Sequence, residues 1–327
     1  MHPFNYSRPA NTDGALAMID ERAAFIAGGT NLLDLMKEGI ATPQLVVDLR
    51  GLDDLRGIQQ FDRMVRIGAL ESMSDVAAHP VIQLECPMVA QALLASASPQ
   101  LRNMATIGGN LMQRTRCGYF RDRVFPCNKR NPGAGCPAIA GENRTHAILG
   151  ASEHCIATHA SDLAVALVAL DASLVIRSKT DKRTVPLERF YRTPTESAQA
   201  ETHLKRGELI VSVEIPTAAV ARRSHYLKVR DRASYEFALV SAAVGIEWSG
   251  EVMREVRIAF GGVATKPWRS HEAEQVLRGH VWSQAAIARA GEAAARDAHT
   301  TSQNAFKVDL MRRVLERAVA TLREKRT

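Results

Sequence analysis

No run of about 18 consecutive apolar residues occurs in this chain of 327 residues, which excludes a membrane-crossing helix. The first residues, Met1-His2-Pro3-Phe4-Asn5-Tyr6-Ser7-Arg8-Pro9, lack the apolar middle of a secretory leader, so no signal peptide of its own is expected. There is no C-x2-C pair, which argues against a zinc ribbon. Neither of the two Gly-Gly pairs considered below fits G-x-G-x-x-G or leads into Gly-Lys-Ser/Thr, so a Rossmann fingerprint and a P-loop are both excluded. No nucleophile–base set stands out. Ser152-Glu153-His154 and Ser161-Asp162 are neighbours in sequence, but adjacency is not triad geometry, and hydrolysis is not expected. Internal repeats, low-complexity segments and a nicotinamide signature are lacking. The net charge of +7 is dispersed and no nucleic-acid module is recognisable, so a nucleic-acid partner is not expected. A basic surface of this kind also suits an acidic partner subunit.

What is present is an ordinary globular composition, 46% hydrophobic and 24% charged, in a length that suits two domains. Ala23 to Ala27 reads as a strand, Gly28-Gly29-Thr30 as a turn, Asn31 to Lys37 as a helix and Gln44 to Leu49 as a second strand. This is a βαβ-like start. Ser74 to His79 and Val89 to Ser98 read as helices, the latter ended by Pro99. Ser161 is the expected N-cap of a largely apolar helix running to Asp171. Ser173 to Arg177 and Glu208 to Pro216 read as strands, and a linker is expected over Ala218 to Arg223. Beyond it lie three strand candidates, His225 to Val229, Phe237 to Trp248 and Val252 to Phe260, with Ser249-Gly250 as a hairpin turn. From His271 the chain reads as helical, ending in an amphipathic helix over Lys307 to Arg323. The C-terminal part is expected to be α+β.

Four of the five cysteines lie in one loop-like stretch with the spacing C-x9-C-x8-C-x18-C: Cys117, Cys127, Cys136 and Cys155. Pro126, Asn131-Pro132-Gly133 and Gly135 between them argue against burial in a core. Four thiolates gathered by a loop suit an iron–sulfur cluster. His154 and His159 flank Cys155 and are candidates to ligate metal or to hydrogen-bond a cluster sulfide. Cys86 reads as a buried bystander. The two double-glycine turns, Ala27-Gly28-Gly29-Thr30-Asn31 and Thr106-Ile107-Gly108-Gly109-Asn110, suit the two phosphates of a dinucleotide, because glycine lets a ligand approach free backbone N–H groups. Read singly, each is also compatible with a plain tight turn. Asp162 and Lys228 are candidates to meet the cofactor.

Ala27 to Leu33, Arg102 to Leu111 and Ser161-Asp162, in that order, resemble the FAD-binding medium subunit of the molybdenum hydroxylases, a family that includes xanthine dehydrogenase and carbon monoxide dehydrogenase. About 45 residues separate the Gly-Gly-Asn segment from Ser-Asp, where family members have a short connection. With Gln113 to Cys117, Pro126 to Arg130 and Lys228 to Tyr235, this insertion is most similar to the branch of periplasmic aldehyde oxidoreductases. The resemblance implies an α+β chain with a vanillyl-alcohol-oxidase (PCMH)-type FAD-binding domain over 1–220. That domain has a small lobe to about residue 55, a larger lobe from 56, and an iron–sulfur insertion over about 114–158. A CO dehydrogenase flavoprotein-like domain over 221–327 follows. It implies FAD on Ala27, Gly28, Gly29, Thr30, Asn31, Leu32 and Leu33, with Thr106, Gly108, Gly109 and Asn110 on the other side, Asp162 and Lys228 near the flavin, and Ile210 on the adenine side. It implies a [4Fe–4S] cluster on Cys117, Cys127, Cys136 and Cys155. It also implies a large molybdenum-cofactor subunit and a small [2Fe–2S] subunit as partners, aldehyde oxidation in the assembly, and either export with a signal-bearing partner or a cytoplasmic place. The alternatives are a xanthine dehydrogenase-like or hydroxybenzoyl-CoA reductase-like enzyme, and a non-catalytic scaffold with structural zinc.

Overall fold

The computed structural model describes residues 1–195 and 197–325, so the last two residues of the expected C-terminal domain lie outside the described residues. Three sheets organise the chain. The first is parallel and has the order β1-β3-β2, from β1 (Asn5–Ser7), β2 (Ala23–Ile26) and β3 (Leu45–Asp48). The helix Leu32–Lys37 connects β2 to β3, so the βαβ start is as expected. The three-residue edge strand β1 was not expected, being too short to show a period.

The second sheet has the order β4-β5-β8-β6-β7 and is antiparallel throughout, from β4 (Ile58–Phe61), β5 (Met64–Gly68), β6 (Ser173–Arg177), β7 (Lys182–Pro186) and β8 (Leu209–Pro216). Helices over 73–104 and the helix Asp162–Ala169 cover it. Pro99 does not end the helix before it. That helix stops at Ala95, and Pro99 is the first residue of the next, Pro99–Met104, where its missing N–H costs nothing.

The third sheet has the order β12-β11-β10-β9, from β9 (Ser224–Val229), β10 (Val240–Ser249), β11 (Val252–Gly261) and β12 (Trp268–Arg269). The expected linker is in part a short helix, Ala219–Arg222. β10 begins three residues later than expected, because residues 230–239 form a loop that turns toward the cleft described below. The long apolar run of β10 has a physical reason. Ala243, with Ala259 and Tyr226 from its neighbours, packs into the core around Asp162–Ala169. Val240, Ala242, Val244, Ile246 and Trp248 pack on the other face, against the helices His271–Leu277, Gln284–Ala294 and Phe306–Glu324. A strand covered on both faces loses polar alternation. The helix Asp162–Ala169 is buried at every position and packs against β10 and β11.

The inserted segment has little regular structure, a short helix Gly118–Arg121 and a turn Pro137–Ile139. Its order comes from docking. Ile148 and Leu149 sit in the C-terminal core, and Asn143 exchanges hydrogen bonds with Gln303. The buried Lys307 donates to the carbonyls of Thr145 (2.9 Å), His146 (2.9 Å) and Gly262 (2.6 Å).

Candidate functional site

The two glycine turns, 80 residues apart, meet in space. A Cβ on Gly28 would lie 1.8 Å from the carbonyl oxygen of Met104, so only glycine allows the first turn to abut the segment leading into Thr106. Gly29 has φ +74°, which turns the chain into Leu32–Lys37. In the second turn Thr106 caps the helix Ile107–Leu111, its Oγ1 accepting from Gly109 N at 3.2 Å. Ser161 caps its own helix through Ala164 N, as expected, and its hydroxyl donates to Asn110 Oδ1 at 2.5 Å. One cap thereby ties the second turn to the Ser-Asp segment.

Around this meeting point lies an open cleft of about 350 Å³. Its wall brings together Thr30, Asn31, Gly109, Asn110, Asp162 and Lys228, six of the residues expected from sequence. Ala27, Gly28, Gly29, Leu32, Leu33, Thr106 and Gly108 shape the turns behind that wall without lining it. Ile210 is buried in the core and is not on the wall. Asp162 and Lys228 are engaged with each other at 2.8 Å, both nearly fully buried. Asp162 also accepts from Ser96 Oγ (2.9 Å) and from Tyr226 OH (2.6 Å), while Lys228 donates to Ala95 O (3.2 Å). Burial, then the charge of Asp162, raises the Tyr226 phenol well above its usual range, so it stays a donor. The pair is thus a fixed, satisfied element of the wall. The glycine-lined approach and the mixed polar lining fit a dinucleotide. Sequence reasoning assigned no cofactor role to Met73, Ser96, Arg116, Tyr235 and Phe237 on the same wall; Arg116 and Tyr235 lie in the segments that carry the resemblance, and no local motif marks the other three.

Cys117, Cys127, Cys136 and Cys155 line a second, tight cavity of only about 10 Å³, together with Phe120, Pro126, Pro137 and Ala138. Contrary to the expectation from their polar, proline-rich neighbours, Cys127 and Cys155 are buried and Cys117 and Cys136 partly so, because the segment folds its few apolar residues inward around them. Burial pushes the Cys117 thiol up to about 11, and raises Cys136 and Cys155 as well. Among the described residues no group of three or more His, Cys, Asp or Glu side chains is gathered so as to hold a metal ion. Of the two flanking histidines, His154 lines the cavity. His159 does not: its Nδ1 accepts from Ser161 N and its ring stands edge-on to Tyr191 at 4.5 Å. The histidine in contact with a cysteine is His146, with Nε2 3.2 Å from Cys117 Sγ; it is 29 residues away in sequence. Burial, then Lys307, lowers His146 to about 4. Cys86 is fully buried elsewhere, as expected.

Comparison with known proteins gives the family of the chain. The family described as the FAD binding domain in molybdopterin dehydrogenase matches residues 2–218, and the CO dehydrogenase flavoprotein C-terminal domain matches residues 225–322. The chain is 47% identical to the aldehyde oxidoreductase FAD-binding subunit PaoB of Escherichia coli, over 99% of each chain. It is 26% identical to the carbon monoxide dehydrogenase medium chain of Hydrogenophaga pseudoflava, over 89% of this chain and 85% of that one. A solved structure of carbon monoxide dehydrogenase from the same organism superimposes with a TM-score of 0.76 at 25% identity, covering 98% of this chain and 96% of that one. With both of its halves matched, the chain belongs to the FAD-binding medium subunits of the molybdenum hydroxylases, a family of oxidoreductases.

Proposed function

We propose that this chain is the FAD- and [4Fe–4S]-carrying electron-transfer subunit of a heterotrimeric, molybdenum-dependent aldehyde oxidoreductase. Similarity to the aldehyde oxidoreductase subunit supports the aldehyde branch over xanthine dehydrogenase-like or aromatic-CoA enzymes. In this reading a large molybdenum-cofactor subunit and a small [2Fe–2S] subunit are the partners, and no residue here contacts the aldehyde. FAD, when bound, supplies the exchange between the partners' centres and an external acceptor. The chain's own part is to hold and orient. The two glycine turns present the backbone to the diphosphate, the fixed Asp162–Lys228 pair shapes the flavin end, and the loop 230–239 supplies Arg232, Tyr235, Glu236 and Phe237 to the wall. In this reading the chain works either in the periplasm, exported together with a signal-bearing partner, or in the cytoplasm, and cell fractionation decides between the two places.

The observation that carries the cluster assignment is the convergence of all four clustered cysteines on one closed cavity. The family descriptions name FAD and not iron, so the assignment rests on this chain's own insertion. A single zinc ion needs its four ligands at one point about 2.3 Å away. Four thiols facing one small cavity suit a cysteine-ligated iron–sulfur group, and visible absorbance separates that group from a structural zinc, which is colourless. Cluster binding would also deprotonate thiols that burial keeps protonated, so assembly couples to the folding of the insertion.

Purified complex is expected to hold about one FAD and one [4Fe–4S] per copy of this chain, read by visible absorbance, iron analysis and EPR before and after aldehyde. Cys127→Ser is expected to lower iron while molybdenum and FAD stay. Iron equal to the [2Fe–2S] content alone in the unmodified complex, or unchanged iron in the variant, would remove the cluster from this chain.

A further inference from the structure

The charged side chains on the wall of the cleft come in pairs, and one pair is incomplete. Lys228 is matched by Asp162. Arg232 faces Glu236 at 3.7 Å and donates to the carbonyl of Tyr235. The third cation, Arg116, forms one ion pair among the described residues, with Asp34 (Nη1 3.3 Å from Oδ2), which is itself half exposed; the charge of Glu38 also acts on it. The Nε of Arg116 is buried and has no hydrogen-bond partner. The side chain lies over the ring of Phe237, 5.5 Å from its centroid.

Arg116 belongs to the insertion and immediately precedes Cys117. Through Asp34 it reaches the helix that follows the first glycine turn, and through Phe237 it reaches the loop before β10. The other nearby cation of the insertion, Arg121, is fully engaged. It donates to Thr115 O, Glu38 Oε2 (3.0 Å) and Asn31 Oδ1 (3.4 Å). Burial, and then the charge of Arg121, lowers Arg116 from the usual arginine range. A partly buried guanidinium with an idle donor, on the wall of a cleft beside a second arginine, is arranged for an anion. The wall's own charges cancel: Arg116, Lys228 and Arg232 against Asp34, Asp162 and Glu236. A diphosphate therefore finds no surplus positive charge unless Arg116 turns from Asp34 toward it.

We propose that Arg116 is a further FAD-binding residue, whose forked guanidinium supplies positive charge to the diphosphate at the first glycine turn, so that the inserted segment closes the FAD cleft as well as carrying the cysteines. The inference rests on the FAD reading above. It gives the insertion a role that a short connection between Asn110 and Ser161 would not fill.

The test is FAD retention by the assembled complex, measured as the dissociation constant for FAD after reversible flavin removal, with iron counted in the same samples. Arg116→Gln is expected to weaken FAD about tenfold, the loss of one charge-assisted contact of about 1.4 kcal/mol, with iron unchanged. Arg116→Lys keeps the charge without the fork and is expected to fall between, about threefold weaker. Asp34→Asn removes the competing anion and is expected to bind FAD at least as tightly as the unmodified complex. Retention in R116Q or R116K equal to that of the unmodified complex would overturn the proposal. So would an Asp34→Asn complex as weak as R116Q, since Arg116 would then serve only the bridge to Asp34. Should R116Q fail to assemble, R116K and Asp34→Asn still decide. An unmodified complex without FAD would instead defeat the reading on which the inference rests.

Discussion

The cleft and the cysteine cavity sit side by side and are built by opposite means. The cleft is made by backbone: two glycine turns press together so closely that a methyl group at Gly28 has no room. Its polar side chains are mostly satisfied by one another before any ligand arrives. The cavity is made by side chains on a segment with almost no secondary structure, and it is held in place from the far end of the chain, by Asn304 and Lys307. The first arrangement depends on local shape and the second on long-range docking. They should therefore fail separately.

The largest effect is expected at Lys307. It is fully buried, and its ammonium serves three carbonyls, two of them in the insertion. Burial, then Arg144, lowers it to about 7. Lys307→Met fills the volume but leaves those carbonyls without a donor, a cost of about 3–5 kcal/mol. The expected outcome is a lower melting temperature and iron well below half, with FAD largely kept. Equal loss of FAD and iron would show that the two sites are one structural unit.

Gly28→Ala attacks the other side of the comparison. The added Cβ would meet backbone rather than a movable side chain, so the turns must separate, at about 3 kcal/mol. FAD content is expected to fall below about a tenth of the unmodified value, while iron stays, because the cysteine cavity does not include the first turn. Normal absorbance of bound flavin in the G28A complex would break the claim that turn contact shapes the cleft.

This division also explains what could be read from sequence. Gly28-Gly29, Gly108-Gly109 and the Ser161 cap each leave a local signature, a glycine pair or a serine before a helix, so their motifs are visible in the chain even where they act on distant partners, and six of the proposed FAD residues do meet on one wall. The residues that were missed act across long separations. His146 rather than His159 meets Cys117, and Lys307 anchors a segment 160 residues upstream. Arg116 looked like one of many dispersed arginines until Asp34 and Phe237 were placed beside it. Pro99 was ambiguous for a different reason: the same residue serves after one helix and at the start of another, and the gap between the two helices was too short to show a break. The cysteines were expected to be exposed because composition was averaged over the loop. Folding instead turns the few apolar residues inward around the sulfurs.

The smallest expected effect tests the lobe that carries the first glycine turn, away from both walls. Asp48 ends β3 with its side chain fully buried; Tyr6 OH donates to it, and Arg50 does so at 2.8 Å. Burial pushes the carboxyl up, but the hydrogen bonds from Arg50 and Tyr6 prevail and hold it at about 2. A carboxyl held below its ordinary value stabilises the fold above pH 4 or so, and that stability drains away as pH falls through about 2. Because Arg50 is half exposed, solvent screening reduces the gain to about 1 kcal/mol. In urea-induced flavin release, Asp48→Asn should lower the midpoint near pH 6 by the equivalent of about 1 kcal/mol, and the difference should shrink as pH falls toward about 2. Its effect should appear in FAD and not in iron, because Asp48 belongs to the sheet beneath the first turn and the cysteines do not. A constant difference across the whole pH range would mean that Asp48 contributes through packing rather than charge.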